Sequence, residues 1–222
     1  MSLLRLLKTS FLLPLRRRVP TVTVGSQDSW DIVDPGTVAP FVISAGVGHS
    51  FTFEQDLARR WNARVVMLDP SPTGRDTVAR TALAPGIEYL PIGLNAVDGE
   101  TRFALPARAE EGSFSMTQAA GGDTVSFECR SLKSLMQAYG RDEIDILKMD
   151  IEGFEYPVLD AMLAEGLKVR QICVEIHTRH GSGVDADLSD AVRLILRLHR
   201  AGFRVVFNSA MDFTFCHRRA LP

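Results

Sequence analysis

The 222-residue sequence predicts an α/β domain: a doubly wound, mainly parallel, Rossmann-like sheet of seven strands whose last strand is reversed. Three observations carry that expectation. From Pro40 onward, short β-branched runs alternate with longer segments of helical period, the pattern of βαβ units. The first run enters a tight turn at Gly46 and Gly48, and the next run ends at Asp69, about twenty residues further on. The chain closes with two strand-like runs, 203–207 and 213–216, joined so briefly that an antiparallel hairpin is possible and a parallel crossover is not.

Taken in order, Phe41, Val42, Ile43, Ser44 and Ala45 read as a buried strand and 46–50 as a turn. The helix after it sets Phe53, Leu57 and Trp61 on one face. A second strand, 64–68, ends at Asp69 and is stopped by Pro70 and Pro72, which cannot continue a central strand. A third is expected over 87–92. Between residues 98 and 128 the pattern weakens to a loop at Gly121 and Gly122 flanked by strands at 101–105 and 124–127. Ser131 reads as the N-cap of a helix carrying Leu132, Leu135, Met136 and Tyr139 inward and ending at Gly140. Strand four, 144–149, leads through Asp150 and Gly153 into a helix with Phe154, Val158, Ala161 and Met162 inward. Strand five is 171–176, and a long helix follows with Leu188, Val192, Ile195 and Leu198 on one face, closing near Gly202.

Residues 40–222 thus form the domain, and 1–39 an N-terminal extension expected to be partly helical. Its first eighteen residues interleave leucines with Arg5 and Lys8 and end in Arg16, Arg17 and Arg18. That order is the reverse of a secretory signal, and the segment is too short and interrupted to span a bilayer. It suits either peripheral membrane contact as a basic amphipathic helix or packing on its own domain. A cytoplasmic protein, with membrane association through residues 1–18 as the variant, is the expectation. The net charge of −2 offers no basic field for nucleic acid, so none is expected as a partner. Cys129, Cys173 and Cys216 are far apart, which predicts neither a disulfide framework nor a zinc site.

Chemistry concentrates at two strand ends. Gly46 and Gly48 let backbone approach a ligand, and the helix that follows offers unpaired N–H donors. A carboxylate at Asp69 can accept from both ribose hydroxyls of an adenosine. Phe51 stands where a dinucleotide motif has its third glycine, which disfavours NAD. Asp150, Glu152 and Glu155 follow the fourth strand, at the sheet edge where α/β ligands bind; as structure alone, they would cap the next helix and complement its dipole.

The run from Leu147 to Leu159, a strand entering a K-x-D-x-E-G-x-E segment at Lys148, Asp150, Glu152, Gly153 and Glu155, resembles the signature of FkbM-type methyltransferases. The glycine turn, the segment ending at Asp69, the stretch 91–94 and the run through Glu175 and His177 are similar to that family and occur in its usual order, from about residue 41 to 215. The resemblance implies the class I methyltransferase fold and S-adenosyl-L-methionine as cofactor. It implies a cofactor pocket at Ala45, Gly46, Gly48 and Asp69, with Asp150 near the cofactor's methionine end or the acceptor. Ser44, standing where the family commonly has an acidic residue, Glu54 in the first turn of the helix, and Glu152 complete the cofactor candidates. Glu54 reads otherwise as a first-turn acid on the exposed face of its helix.

Alternation puts Glu175 and His177 on one side of the fifth strand, open to the same edge as Asp150. Glu175 or His177 would serve as general base toward an acceptor hydroxyl; alternatively, Asp150, Glu175 and His177 would ligate a divalent metal that lowers that hydroxyl's pKa. No metal set is assigned from spacing. His180, beside Gly181 and Gly183, falls in a loop. The function expected from the resemblance is O-methylation of a hydroxyl on a sugar, glycan or secondary metabolite. A non-catalytic S-adenosylmethionine- or adenosine-binding scaffold and a nucleotide-dependent oxidoreductase are the alternatives.

Overall fold

The computed structural model describes residues 13–105, 124–179 and 184–222. Residues 1–12 of the basic, apolar segment, the expected loop at Gly121 and Gly122, and His180 with its loop lie outside the described residues. The described part of the extension contains a 3-10 turn, Leu13–Leu15, and a hairpin of β1 (Val22–Val24) and β2 (Trp30–Ile32). Alternation is the local cause of the hairpin: Val24, Trp30 and Ile32 turn inward, while outside Thr23 donates to Asp31 at 2.9 Å.

The principal sheet holds β3 (Phe41–Ala45), β4 (Arg64–Leu68), β5 (Ile87–Leu90), β9 (Glu143–Met149), β10 (Lys168–Glu175), β11 (Phe203–Ser209) and β12 (Asp212–His217). Their order is β11-β12-β10-β9-β3-β4-β5, and β12 runs antiparallel to both of its neighbours. This is the expected seven-stranded, doubly wound sheet with one reversed strand. Its order changes direction between β3 and β9, so their carboxyl ends open the crevice in which such folds bind ligands.

Helices cover both faces. One face receives α1 (Thr52–Trp61), α2 (Pro72–Arg80) and the N-terminal hairpin, through Phe53, Leu57, Val24, Trp30 and Ile32. The other receives α3 (Leu132–Ala138), α4 (Glu155–Ala164) and α5 (Leu188–Arg200), through Leu135, Val158, Leu159, Leu194 and Leu198. Each buried leucine of this kind contributes roughly 1.5–3 kcal/mol. Ser131 caps α3 as expected, accepting from Ser134 N–H at 3.2 Å. In α5 the inward stripe is Ala191, Leu194, Ile195 and Leu198; Leu188 is exposed because it opens the helix directly after the Asp187–Asp190 capping box.

The expected third strand stops at Leu90. Pro91 has no N–H for the ladder, and Gly93–Leu94 becomes β6 of a separate three-stranded sheet with β7 (Gly99–Ala104) and β8 (Thr124–Arg130). The prolines after β4 do more than stop it: Ser71 caps α2, accepting from Gly74 N–H at 3.0 Å, and Pro72 occupies the helix start. The three cysteines are buried and free. Among the described residues no helix is long and apolar enough to cross a membrane.

The chain after the hairpin is clamped by Gln171 of β10, whose side chain accepts from Val33 N–H at 2.9 Å and donates to Val33 C=O at 2.7 Å inside the protein. Gln171→Ala leaves both backbone groups buried without partners. The expected cost is about 2–4 kcal/mol, read as a lower midpoint of urea denaturation.

Candidate functional site

At the crevice between β3 and β9 the backbone is knitted tightly. Gly46 N–H donates to Leu68 C=O at 2.9 Å, and Asp150 N–H donates to Ala45 C=O at 3.1 Å. Gly46 has φ +88°, and a β-carbon there would lie 1.9 Å from the Asp150 carbonyl oxygen. Only glycine fits. Gly48, at φ +54°, faces open space, so its turn presents bare backbone to a ligand.

Asp69 ties this turn to the start of α2. Its Oδ2 accepts from Val47 N–H at 2.9 Å and Gly48 N–H at 3.0 Å, and its Oδ1 accepts from Ser71 N–H at 2.8 Å. A carboxylate offers about four acceptor positions, so the arrangement leaves room for one ribose hydroxyl on Oδ1 rather than two. Gly74 lets α2 come this close, since a β-carbon there would sit 2.4 Å from Asp69 Cγ. Tyr89 Oη donates to the Asp69 carbonyl at 2.6 Å and fixes the strand end.

Beneath the turn lies a buried polar group. Register sets Ser44 of β3 beside Lys148 of β9 on the face that α1 covers, and α1 brings Glu54 onto them. Ser44 Oγ donates to Glu54 Oε1, and Lys148 Nζ donates to the Gly46 carbonyl. Burial pushes the Glu54 carboxyl above its usual range, with Lys148 and the Ser44 hydroxyl pulling it back. The exposed-face reading of Glu54 is therefore corrected: the side chain is inside because Ser44 and Lys148 give it polar company there. Ser44, Ala45 and Glu54 all sit beneath the cleft surface rather than on it.

The other end of the crevice is acidic. Glu155, fully buried, accepts from Gly153 N–H at 2.8 Å and Ile151 N–H at 3.2 Å and contacts His177 Nδ1 at 2.7 Å. His177 Nε2 stands 3.4 Å from Glu152 Oε2, 3.7 Å from Asp150 Oδ1 and 3.9 Å from Glu175 Oε1. Burial works against the imidazolium, but the Glu155 hydrogen bond and the charges of Glu155, Glu152 and Asp150 outweigh it and push His177 up to about 10. Burial and then the Asp150 charge push Glu175 up to about 7, with His177 opposing. Glu152 is held at φ +50°, a left-handed conformation uncommon outside glycine, which turns the chain between β9 and α4.

One cleft of about 440 Å³ joins the two ends. It brings together Gly46, Gly48, Asp69, Asp150, Glu152 and Glu175, while His177 stands behind the carboxylates. Several further residues wall it. Lys148 was legible within the K-x-D pattern, and Ser71 as a cap before Pro72. Asp212 enters the cleft because β12 pairs it with Glu175 across the reversed strand, and Phe103 enters from β7. Gln27, Asp28, Ser29 and Trp30 close one side. They belong to the hairpin and its turn, which Thr52 Oγ1 holds by accepting from Ser26 N–H at 3.0 Å and Gln27 N–H at 3.1 Å. No local sequence signal marked these residues, since their place depends on the hairpin docking on α1.

The profile of the methyltransferase FkbM domain matches residues 39–205 of the chain. No curated protein matches it. Among solved structures, the chain is similar to the Methanococcus jannaschii fibrillarin pre-rRNA processing protein, at 10% identity and a TM-score of 0.48 over 91% of this chain and 84% of that one.

Proposed function

Because the chain belongs to the FkbM methyltransferase domain family, whose members are S-adenosylmethionine-dependent methyltransferases, we propose that it transfers the cofactor's methyl group to a hydroxyl of a small molecule or glycan. The observation that carries this reading is the division of one cleft into a glycine-lined end at Gly46, Gly48 and Asp69 and a carboxylate-lined end at Asp150, Glu175 and Asp212.

The first end suits the nucleoside part of the cofactor. Backbone is bare at Gly48, Asp69 keeps one acceptor position for a ribose hydroxyl, and the cleft volume is within the usual range for a small-molecule site. S-adenosylmethionine supplies a methyl group on a sulfonium, which departs as a neutral thioether. The second end suits the acceptor. A carboxylate there accepts the hydroxyl's proton while the oxygen bonds to the methyl carbon and the carbon–sulfur bond breaks, its electron pair staying on sulfur. A positioned base of this kind contributes roughly 10²–10⁴-fold, the remainder coming from alignment.

The test uses S-adenosylmethionine carrying an isotopically labelled methyl group and a panel of sugars, glycans, phenols and amines. Label in an ether of a hydroxyl compound is the expected result. Transfer confined to amines would overturn the hydroxyl assignment, and no transfer to any acceptor by folded, cofactor-binding protein would favour a non-catalytic scaffold.

A further inference from the structure

We propose that Asp150, Glu175 and His177 hold a divalent first-row metal cation at the acceptor end of the cleft; the inference rests on the methyltransferase reading and refines how that end handles its acceptor. One ligand atom from each of the three lies within 4.8 Å of the others. The distances from His177 Nε2 to Asp150 Oδ1 and Glu175 Oε1, 3.7 and 3.9 Å, exceed the ordinary hydrogen-bond range. They match instead the span of two donors around a shared ion: ligands each about 2.0–2.2 Å from a metal stand roughly 3–4 Å apart.

His177 is the ligand whose place the surrounding structure fixes. Its side chain is only 7% exposed, and it is aimed at the carboxylates by a group outside the triad. Glu155, an acceptor when ionised, takes Gly153 N–H on Oε2 and, on Oε1, Ile151 N–H together with the hydrogen bond from His177 Nδ1, so Nε2 is the ring nitrogen turned toward Glu152, Asp150 and Glu175, and a bound ion takes the place of its proton. A carboxylate–histidine pair in which one ring nitrogen is anchored and the other is presented to acidic groups is the usual support of a metal-bound imidazole. Tyr156 Oη adds a second anchor by donating to the His177 carbonyl at 2.8 Å.

The surroundings of the triad are acidic, and Glu152 Oε2 lies 3.4 Å from His177 Nε2. Glu152 and Asp212 add negative charge beside the triad, and Asp150, Glu152, Glu175 and Asp212 all border the cleft. Mixed imidazole and carboxylate ligands favour Mn²⁺, Fe²⁺ or Zn²⁺ over Ca²⁺. Three protein ligands leave coordination positions toward the cleft, where an acceptor hydroxyl would bind and become more acidic. Asp212, outside the triad, is then the carboxylate free to take the proton.

The experiment titrates Mn²⁺ into the full chain bound to S-adenosylhomocysteine and follows the free-ion signal by electron paramagnetic resonance. One ion per chain is expected, with binding weakened about tenfold or more in Glu175→Gln and in His177→Gln. Circular dichroism and calorimetry of S-adenosylhomocysteine check that each variant is folded; Glu175, partly exposed, is the variant least able to disturb the core. An unchanged Mn²⁺ signal from chain that binds S-adenosylhomocysteine would overturn the metal site and leave the methyltransferase reading standing. Ion binding that both variants leave intact would overturn it equally. Failure of the folded chain to bind S-adenosylhomocysteine would instead count against the methyltransferase reading.

Discussion

Gly46→Ala is expected to destabilise the protein by roughly 3 kcal/mol or more and to abolish cofactor binding. Two independent costs add here. The residue holds φ +88°, where an L side chain is strained, and its β-carbon would meet the Asp150 carbonyl oxygen at 1.9 Å. Backbone on backbone cannot be relieved by a rotamer change, so β3 and β9 must separate at the point where the cleft opens. The adjoining bonds, from Gly46 N–H to Leu68 and from Asp150 N–H to Ala45, would be lost with them. Thermal unfolding and calorimetry with S-adenosylmethionine read the two effects. Gly48→Ala is the control: it shares a positive φ but meets no atom within 4 Å, so it carries the strain without the collision.

Lys148→Met is expected to cost roughly 2–4 kcal/mol, although the side chains are similar in length. The lysine satisfies the Gly46 carbonyl and offsets the charge of Glu54, both inside the protein. Its loss leaves a buried carboxylate with the Ser44 hydroxyl and its own backbone N–H but without the charge that offset it. Adding Glu54→Gln to the Lys148→Met variant should restore part of the stability, because the uncompensated charge is then gone. Equal and additive losses from the two substitutions, measured by urea denaturation, would mean that Glu54 and Lys148 do not act together.

The architecture was legible because its signals are local and repeated. Alternating βα periods, a glycine turn, Asp69 at the next strand tip and a closing hairpin too short for a crossover were each visible in a few residues. Caps were readable when side-chain chemistry announced them, as at Ser131. The site was only partly legible. The K-x-D-x-E-G-x-E segment marked the correct strand end, but it could not tell that Glu155 turns inward to His177 or that Glu54 turns inward to Lys148. Those orientations come from strand register and helix packing, which set residues far apart in sequence side by side: Ser44 beside Lys148, Asp212 beside Glu175. The hairpin wall at Gln27 to Trp30 was invisible for a related reason. Strands of three residues carry little periodicity, and docking on Thr52, not local preference, puts their turn at the cleft.

In the proposed complex, S-adenosylmethionine lies in the crevice between β3 and β9 with Asp69 at its nucleoside end. Isothermal titration of the cofactor into the wild-type chain and into Asp69→Ala, with circular dichroism to confirm that both are folded, tests it most directly. One molecule bound per chain is expected. Affinity should fall about tenfold to a hundredfold in the variant, the effect of losing a hydrogen bond to a charged group together with the anchor of the Val47 and Gly48 backbone. A folded wild-type chain that takes up no S-adenosylmethionine, or a folded Asp69→Ala variant that binds it as tightly as wild type, would exclude this placement of the cofactor.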